Sequence, residues 1–337
     1  MQKDISEKQL IKHNDVFADI YNALIFGGQE ILKEETLFPV PVESVTRRID
    51  KRLKEGRGDI RKTDRLNGQY CLIVGIENQT EYDNTMPERA MGYDFGAYEE
   101  QIREIQVWNK MQKKPAYHKR IHDHQKLAPS ITAVLYLGKG EWKGPKDLHD
   151  MLRFPEEIGE TIRPYVANYP LHVISVSNLS DEERRRLKSD FFLVAEYLAG
   201  RNKKEAYERL RKEKTHAIRH PEELFDVLAA ISEDDRYYYM AEVLEEAERD
   251  KDTAEYVDND EENNKEGITM CELWDYVENT GIQKGIQQGI QQGIRQAQEE
   301  LNKLILLLLK EKRYEDLERC AQDEEYKQNL MKKYGIL

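Results

Sequence analysis

Cysteine is scarce: three thiols, at positions 71, 271 and 320, lie far apart in the chain. Neither a disulfide framework nor a zinc spacing can be built from them, and a reducing, cytoplasmic setting is expected. Long apolar runs are missing as well. The longest, residues 304–309, is far too short to span a bilayer. The opening Met1-Gln2-Lys3-Asp4 lacks the apolar centre of a signal peptide, so no membrane partner is expected. There is no glycine-rich phosphate loop and no obvious serine or cysteine nucleophile setting. Net positive charge is absent too: 52 Lys and Arg stand against 65 Asp and Glu, giving −13. That balance argues against nucleic acid until its distribution is considered. Residues 1–150 carry 24 basic and 24 acidic side chains, and the remainder carries 28 against 41. Within the neutral half, Arg47 to Arg65 holds nine basic and four acidic residues, and Lys110 to Lys126 six and one. Two local basic stretches are therefore available to offset phosphate repulsion, or to serve as ordinary solvated loops.

What is present is a carboxylate, a gap, and a strand ending in a carboxylate. Asp59 sits in Arg57-Gly58-Asp59-Ile60. After the turn-like Leu66-Asn67-Gly68-Gln69 comes the apolar run from Tyr70 to Ile76, closing on Glu77-Asn78-Gln79. A strand alternates its faces, so Glu77 and Gln79 share one. If the segment bearing Asp59 pairs with this strand, two carboxylates meet at one sheet edge, a hard-oxygen setting for Mg²⁺ or Ca²⁺ that can activate water against a phosphodiester. Asp15 and Asp19, one helical turn apart, flank the apolar face of an N-terminal helix, and Asp15 is a candidate further metal ligand. Arg57, Arg61, Lys62 and Arg89 are candidate contacts to a phosphate backbone, Arg89 being equally suited to a carboxylate partner. His118, His122 and His124 lack an accompanying cysteine or fixed carboxylate and read as a solvated loop.

The surroundings of these residues carry more than the spacing does. Ile76-Glu77-Asn78-Gln79-Thr80 runs into Asp83-x-x-Met86-Pro87-x-Arg89, Tyr93-Asp94 and Tyr98; upstream lies Asp15-Val16-Phe17-Ala18-Asp19-Ile20-Tyr21-Asn22; downstream come Val134 to Gly138, Trp142, Pro145 and Lys188-Ser189-Asp190-Phe191. Together, over roughly residues 10–200, these resemble the recombination-promoting nuclease family, transposase-like PD-(D/E)XK proteins. The resemblance implies an α/β fold with a restriction-endonuclease-like core and a helical C-terminal extension. It implies a DNA endonuclease using Mg²⁺ (or Ca²⁺ or Mn²⁺), active in recombination, mobile-element biology or phage defence. Asp59 and Glu77 would hold the metal and Gln79 would position water. Gln79 stands where such nucleases usually carry lysine, and an amide hydrogen-bonds without supplying charge. A non-catalytic nuclease-fold protein, binding DNA or a protein through an oligomeric arm, is the alternative.

Periodicity predicts a helix over 6–28, an extended stretch over 37–46, a hairpin of strands near 58–64 and 69–79, a helix over 86–107 and strands at 131–137 and 171–176. Ser180-x-x-Glu183 is a capping box opening a helical region. The expected divisions are a nuclease-like domain at 1–178, a helical extension at 179–256, an acidic linker at 257–268 and a helical arm at 269–337. In the arm, Gly-Ile recurs every four residues from Gly281 to Ile294, and Leu301, Leu304, Ile305 and Leu308 continue an apolar face. Glycine costs a helix about 1 kcal/mol relative to alanine, so homo-oligomerisation through 281–337 is one reading and a flexible spacer the other.

Overall fold

The computed structural model describes residues 2–40, 60–66, 69–112, 121–255 and 268–336. Asp59, Arg57, the Asn67-Gly68 turn, His118 and nearly all of the expected acidic linker lie outside these ranges.

The predicted first helix is two helices. Helix α1, Gln2–Lys12, stops at His13, whose backbone is extended at φ −61° and ψ 137°, and α2 restarts at Asn14–Ile20. A π-helical turn, Tyr21–Ile25, follows. Gly27 and Gly28, at φ 64° and 93°, end the element in a region that favours glycine. The predicted apolar face is buried: Val16, Phe17, Ile20 and Tyr21 are each inaccessible.

Five strands form one sheet in the order β1 (Leu37–Pro39), β2 (Ile60–Leu66), β3 (Gln69–Gln79), β4 (Ser130–Tyr136) and β5 (His172–Ser175). The first three are antiparallel neighbours, whereas β3–β4 and β4–β5 pair in parallel. Parallel pairing needs a crossover, and α3, Met86–Met111, lies within the one between β3 and β4. Pro87 stands in its first turn, where a missing N–H costs nothing. The β2–β3 ladder aligns Ile60 with Ile76 and Arg61 with Gly75, with an irregularity between Asp64 and Arg65. Alternation then sends Arg61, Glu77 and Thr132 to the α3 side, and Lys62, Val74 and Ile76 to the α2 side.

Beyond the sheet, Ser180 accepts from the Glu183 amide and Glu183 reciprocates, completing the predicted capping box of α4, Asp181–Arg186. Helices α5 (Phe191–Leu198), α6 (Lys203–Arg211), α7 (Pro221–Ser232) and α8 (Met240–Glu255) follow. Helix α7 buries Leu224, Phe225, Val227 and Leu228 and packs on α1. The chain divides into two compact units, residues 1–273 and 274–337. Helices α4 to α8 thus belong to the same unit as the sheet. Helix α9, Met270–Lys310, runs across the division, and α10 (Tyr314–Gln322) and α11 (Glu324–Lys333) complete the second unit. There Leu304 and Leu308 are buried against Cys320, Leu330 and Met331. Of the face expected to need a partner chain, Leu304 and Leu308 are covered from within and Leu301 and Ile305 are half-buried. No helix among the described residues is long and apolar enough to cross a membrane.

Candidate active site

Glu77 occupies the carboxyl end of β3, beside the carboxyl end of its parallel neighbour β4, with Val134 as its register partner. Carboxyl ends of parallel strands are where open α/β sheets place their ligands. An apolar group of Met86, Val134, Tyr136 and Trp142 packs on this side, and Glu77 is only 3% exposed. A carboxylate so far out of water needs partners. Its Oε1 accepts from Arg89 Nη2 and, at 2.9 Å, from Gln79 Nε2. Its Oε2 is buried and accepts no hydrogen bond among the described residues.

Arg89 rises from the first turns of α3 and spans two carboxylates. Its Nη1 donates to Asp83 Oδ2 at 2.9 Å, and its Nη2 also reaches the Tyr93 hydroxyl at 3.1 Å. Asp83 Oδ1 is held by the Thr85 amide and hydroxyl at 2.8 and 2.7 Å. Against the desolvation that burial imposes, these Thr85 bonds and the Arg89 charge keep the Asp83 carboxyl below its ordinary value. Arg89 is thus a carboxylate partner, of Glu77 and of Asp83.

A second polar group is buried on the same sheet face. Arg61 donates to the Tyr93 carbonyl and to Thr132 Oγ1, each at 3.0 Å. Asp94 accepts from Ser130 and Thr132 hydroxyls at 2.6 and 2.8 Å, and from the Tyr169 hydroxyl. Burial, then this bond to Asp94, push the Tyr169 phenol up. The network joins β2, β4, α3 and the chain before β5, and so fixes the platform on which Glu77 stands.

Three sequence-predicted sites need correction. Arg61 and Lys62 are 4% and 3% exposed, so neither is a surface phosphate contact. Lys62 points to the α2 side, donating to the Lys12 carbonyl and Asn14 Oδ1; desolvation lowers its ammonium to about 8. Asp15 is not beside Glu77. It accepts from His220 Nε2 at 2.9 and 3.0 Å, on a helix bound to the opposite sheet face. Asp19 accepts from the Lys188 and Ser189 amides at 2.8 Å and from the Ser189 hydroxyl at 2.7 Å, which anchors that loop to α2. For Asp59, the described ladder ends at Ile60 opposite Ile76; Asp59 and Glu77 are the next residue on either side.

Sequence reasoning assigned no role to Asp83 or Thr85. Asp83-x-Thr85 just before a proline-started helix is the available signal, since Asp readily accepts from the backbone two residues on. Tyr93 is four residues beyond Arg89 and could have been paired with it on the same helix face. No protein-family model, curated protein or solved structure matches this chain.

Proposed function

We propose that this protein is a divalent-metal-dependent DNA endonuclease with a PD-(D/E)XK-type core, of the transposase-like class, acting in recombination, mobile-element biology or phage defence. One observation carries the reading: a buried carboxylate at the end of β3 with one oxygen clamped by Arg89 and Gln79 and the other without a hydrogen bond among the described residues. Such an acceptor calls for a ligand. The element order supports it, with a helix, an antiparallel strand pair, a crossover helix and a parallel strand setting the carboxylate at the carboxyl end of the central strand.

The donor set fits a hard cation such as Mg²⁺ if Glu77 Oε2 is joined by Asp59, adjacent in sequence to the end of the β2 ladder. When bound, that ion supplies Lewis-acid activation of water and phosphate. The remaining work falls to the chain. Arg89 holds Glu77 in one orientation and keeps 20% of its side chain exposed at the site. Gln79 fixes the Glu77 carboxylate while leaving a carbonyl oxygen to orient water.

The clamp also favours the second reading. A guanidinium on Glu77 already neutralises it, as in a nuclease fold retained for binding DNA or a protein. We further propose self-association through the helical arm, residues 281–337, for which the exposed Ile290 of α9 is the observation. Supercoiled plasmid incubated with full-length protein and millimolar Mg²⁺ tests the main reading. Nicking is expected, abolished by chelation and reduced at least about 100-fold in Asp59→Ala and Glu77→Ala. Intact plasmid that is nonetheless retained by the protein establishes the binding reading instead.

A further inference from the structure

A separate group of metal-type ligands lies on the other side of the sheet, where α1 and α2 meet α7. His13 occupies the break between α1 and α2, and His220 the position before Pro221 at the start of α7. Their imidazoles stack, centroids 3.8 Å apart and planes 22° from parallel. His13 Nε2 lies 3.1 Å from Glu223 Oε1. One ligand atom each from His13, His220 and Glu223 all fall within 4.8 Å of one another. Asp15 accepts from His220 Nε2 on the far side of this group. The four side chains are between 16% and 33% exposed, so the place is reachable from water.

We propose that His13, His220 and Glu223 bind a transition-metal dication, with Zn²⁺ the best match, and that Asp15 positions His220. The inference does not depend on the nuclease reading. Two imidazoles and a carboxylate suit zinc and its neighbours rather than Mg²⁺ or Ca²⁺, which take all-oxygen shells. Zinc holds nitrogen and oxygen at about 2.0–2.2 Å, which sets tetrahedral donors about 3.3 Å apart. The His13–Glu223 separation already matches such an edge. His220 must tilt out of the stack to bring a ring nitrogen to that spacing. Its tautomer suits the task. An ionised Asp15 only accepts, so the Nε2 of His220 carries the proton and, in the neutral ring, Nδ1 keeps a lone pair. A carboxylate behind a ligating histidine is the usual orienting arrangement. The backbone is set in advance. Asp190, wholly buried, accepts from the His220 amide at 2.6 Å, from the Arg219 amide at 3.0 Å and from His216 at 2.8 Å. Charge points the same way. With neutral histidines, Asp15 and Glu223 bring two negative charges, against the Lys62 ammonium that acts on Asp15 and an Arg219 guanidinium 3.9 Å from Asp15 that is 67% exposed and weakly felt. Three ligands leave a fourth position for solvent.

Metal-free full-length protein titrated calorimetrically with Zn²⁺ tests this, with Co²⁺ absorption as a second readout. One Zn²⁺ per chain and an intense visible Co²⁺ band are expected. His13→Gln and His220→Gln should weaken Zn²⁺ binding at least about 100-fold, and Asp15→Asn about tenfold. Glu77→Ala should leave it unchanged, which separates this site from the proposed nuclease centre. Absence of saturable binding, equal binding by the histidine variants, loss of binding in Glu77→Ala, or a thiolate-to-cobalt band would each overturn the proposal. If the histidine variants fail to fold by circular dichroism, the wild-type cobalt spectrum decides, and its lack of a visible band rejects the site.

Discussion

Glu77 shows how one residue can be legible in role and illegible in circumstance. Its place at a strand end follows from alternation and the turn before it, but its partners do not. Asp83 and Arg89 approach it through the geometry of the β3–α3 connection, and Arg61 and Lys62 look like surface cations until pairing turns each against a helix. The Arg89 clamp predicts a sharp non-additivity. Arg89→Met leaves a buried carboxylate without its cation and should cost about 3 kcal/mol, whereas Glu77→Gln with Arg89→Met should recover most of that. Urea unfolding of the two single variants and the double variant measures it, and additive losses would mean the pair is uncoupled. Lys62 gives a pH signature. Its folded value of about 8 lies below the usual lysine range, so between about pH 8 and 10.5 the unfolded chain holds a proton that the fold has released, and stability rises with pH. Thermal midpoints of the wild type should therefore gain on those of Lys62→Met from pH 8 to 9.5. A constant difference would show that the ammonium is not desolvated.

Elements were more legible than contacts. The hairpin, the proline-started α3, β4, β5 and the Ser180 capping box all follow from local chemistry. The break at His13 does not, because the apolar repeat continues through it; tertiary contacts to α7 hold that residue extended. Strand order was hidden for the same reason, since parallel pairing across α3 leaves no local mark. At the end of β4 the chain passes close against β3, with Leu137 donating to the Gln79 carbonyl at 2.8 Å. A methyl group on Gly138 would lie 2.5 Å from the Thr80 carbonyl oxygen and 2.4 Å from the Tyr136 ring. Gly138→Ala should thus destabilise by about 1–3 kcal/mol, read as a lower urea midpoint, whereas Gly140→Ala meets no neighbour within 4 Å and suffers only from its φ of 80°.

For the whole molecule, composition and spacing indicated an α/β chain with a helical tail, the tail expected from residue 269 and the second compact unit beginning at 274. The helices from 179 to 255 share the first unit with the sheet, where α7 packs on α1, and the division at 273 falls inside helix α9, shortly after the acidic stretch at 257–268. Leu304 and Leu308 are taken up within the arm, which leaves Ile290, Leu306, Leu309 and Tyr314 as its exposed large apolar side chains among the described residues. Deleting residues 281–337 should leave the first unit folded, because its core is its own, and reduce the sedimenting mass to one chain per particle. Equal stoichiometry in both forms would make the stretch a spacer. The clasp between His13 and Glu223 has a consequence for biosynthesis. Its two sides are 210 residues apart. Ribosomes add about 5–20 residues per second, so α1 leaves the exit tunnel roughly 10–40 seconds before α7 is made. Throughout that interval Leu10 and Ile11, both buried in the finished fold, lack the α7 surface that covers α1. A nascent α1 therefore carries an uncovered apolar side for the whole time that the intervening sheet and helices are being made.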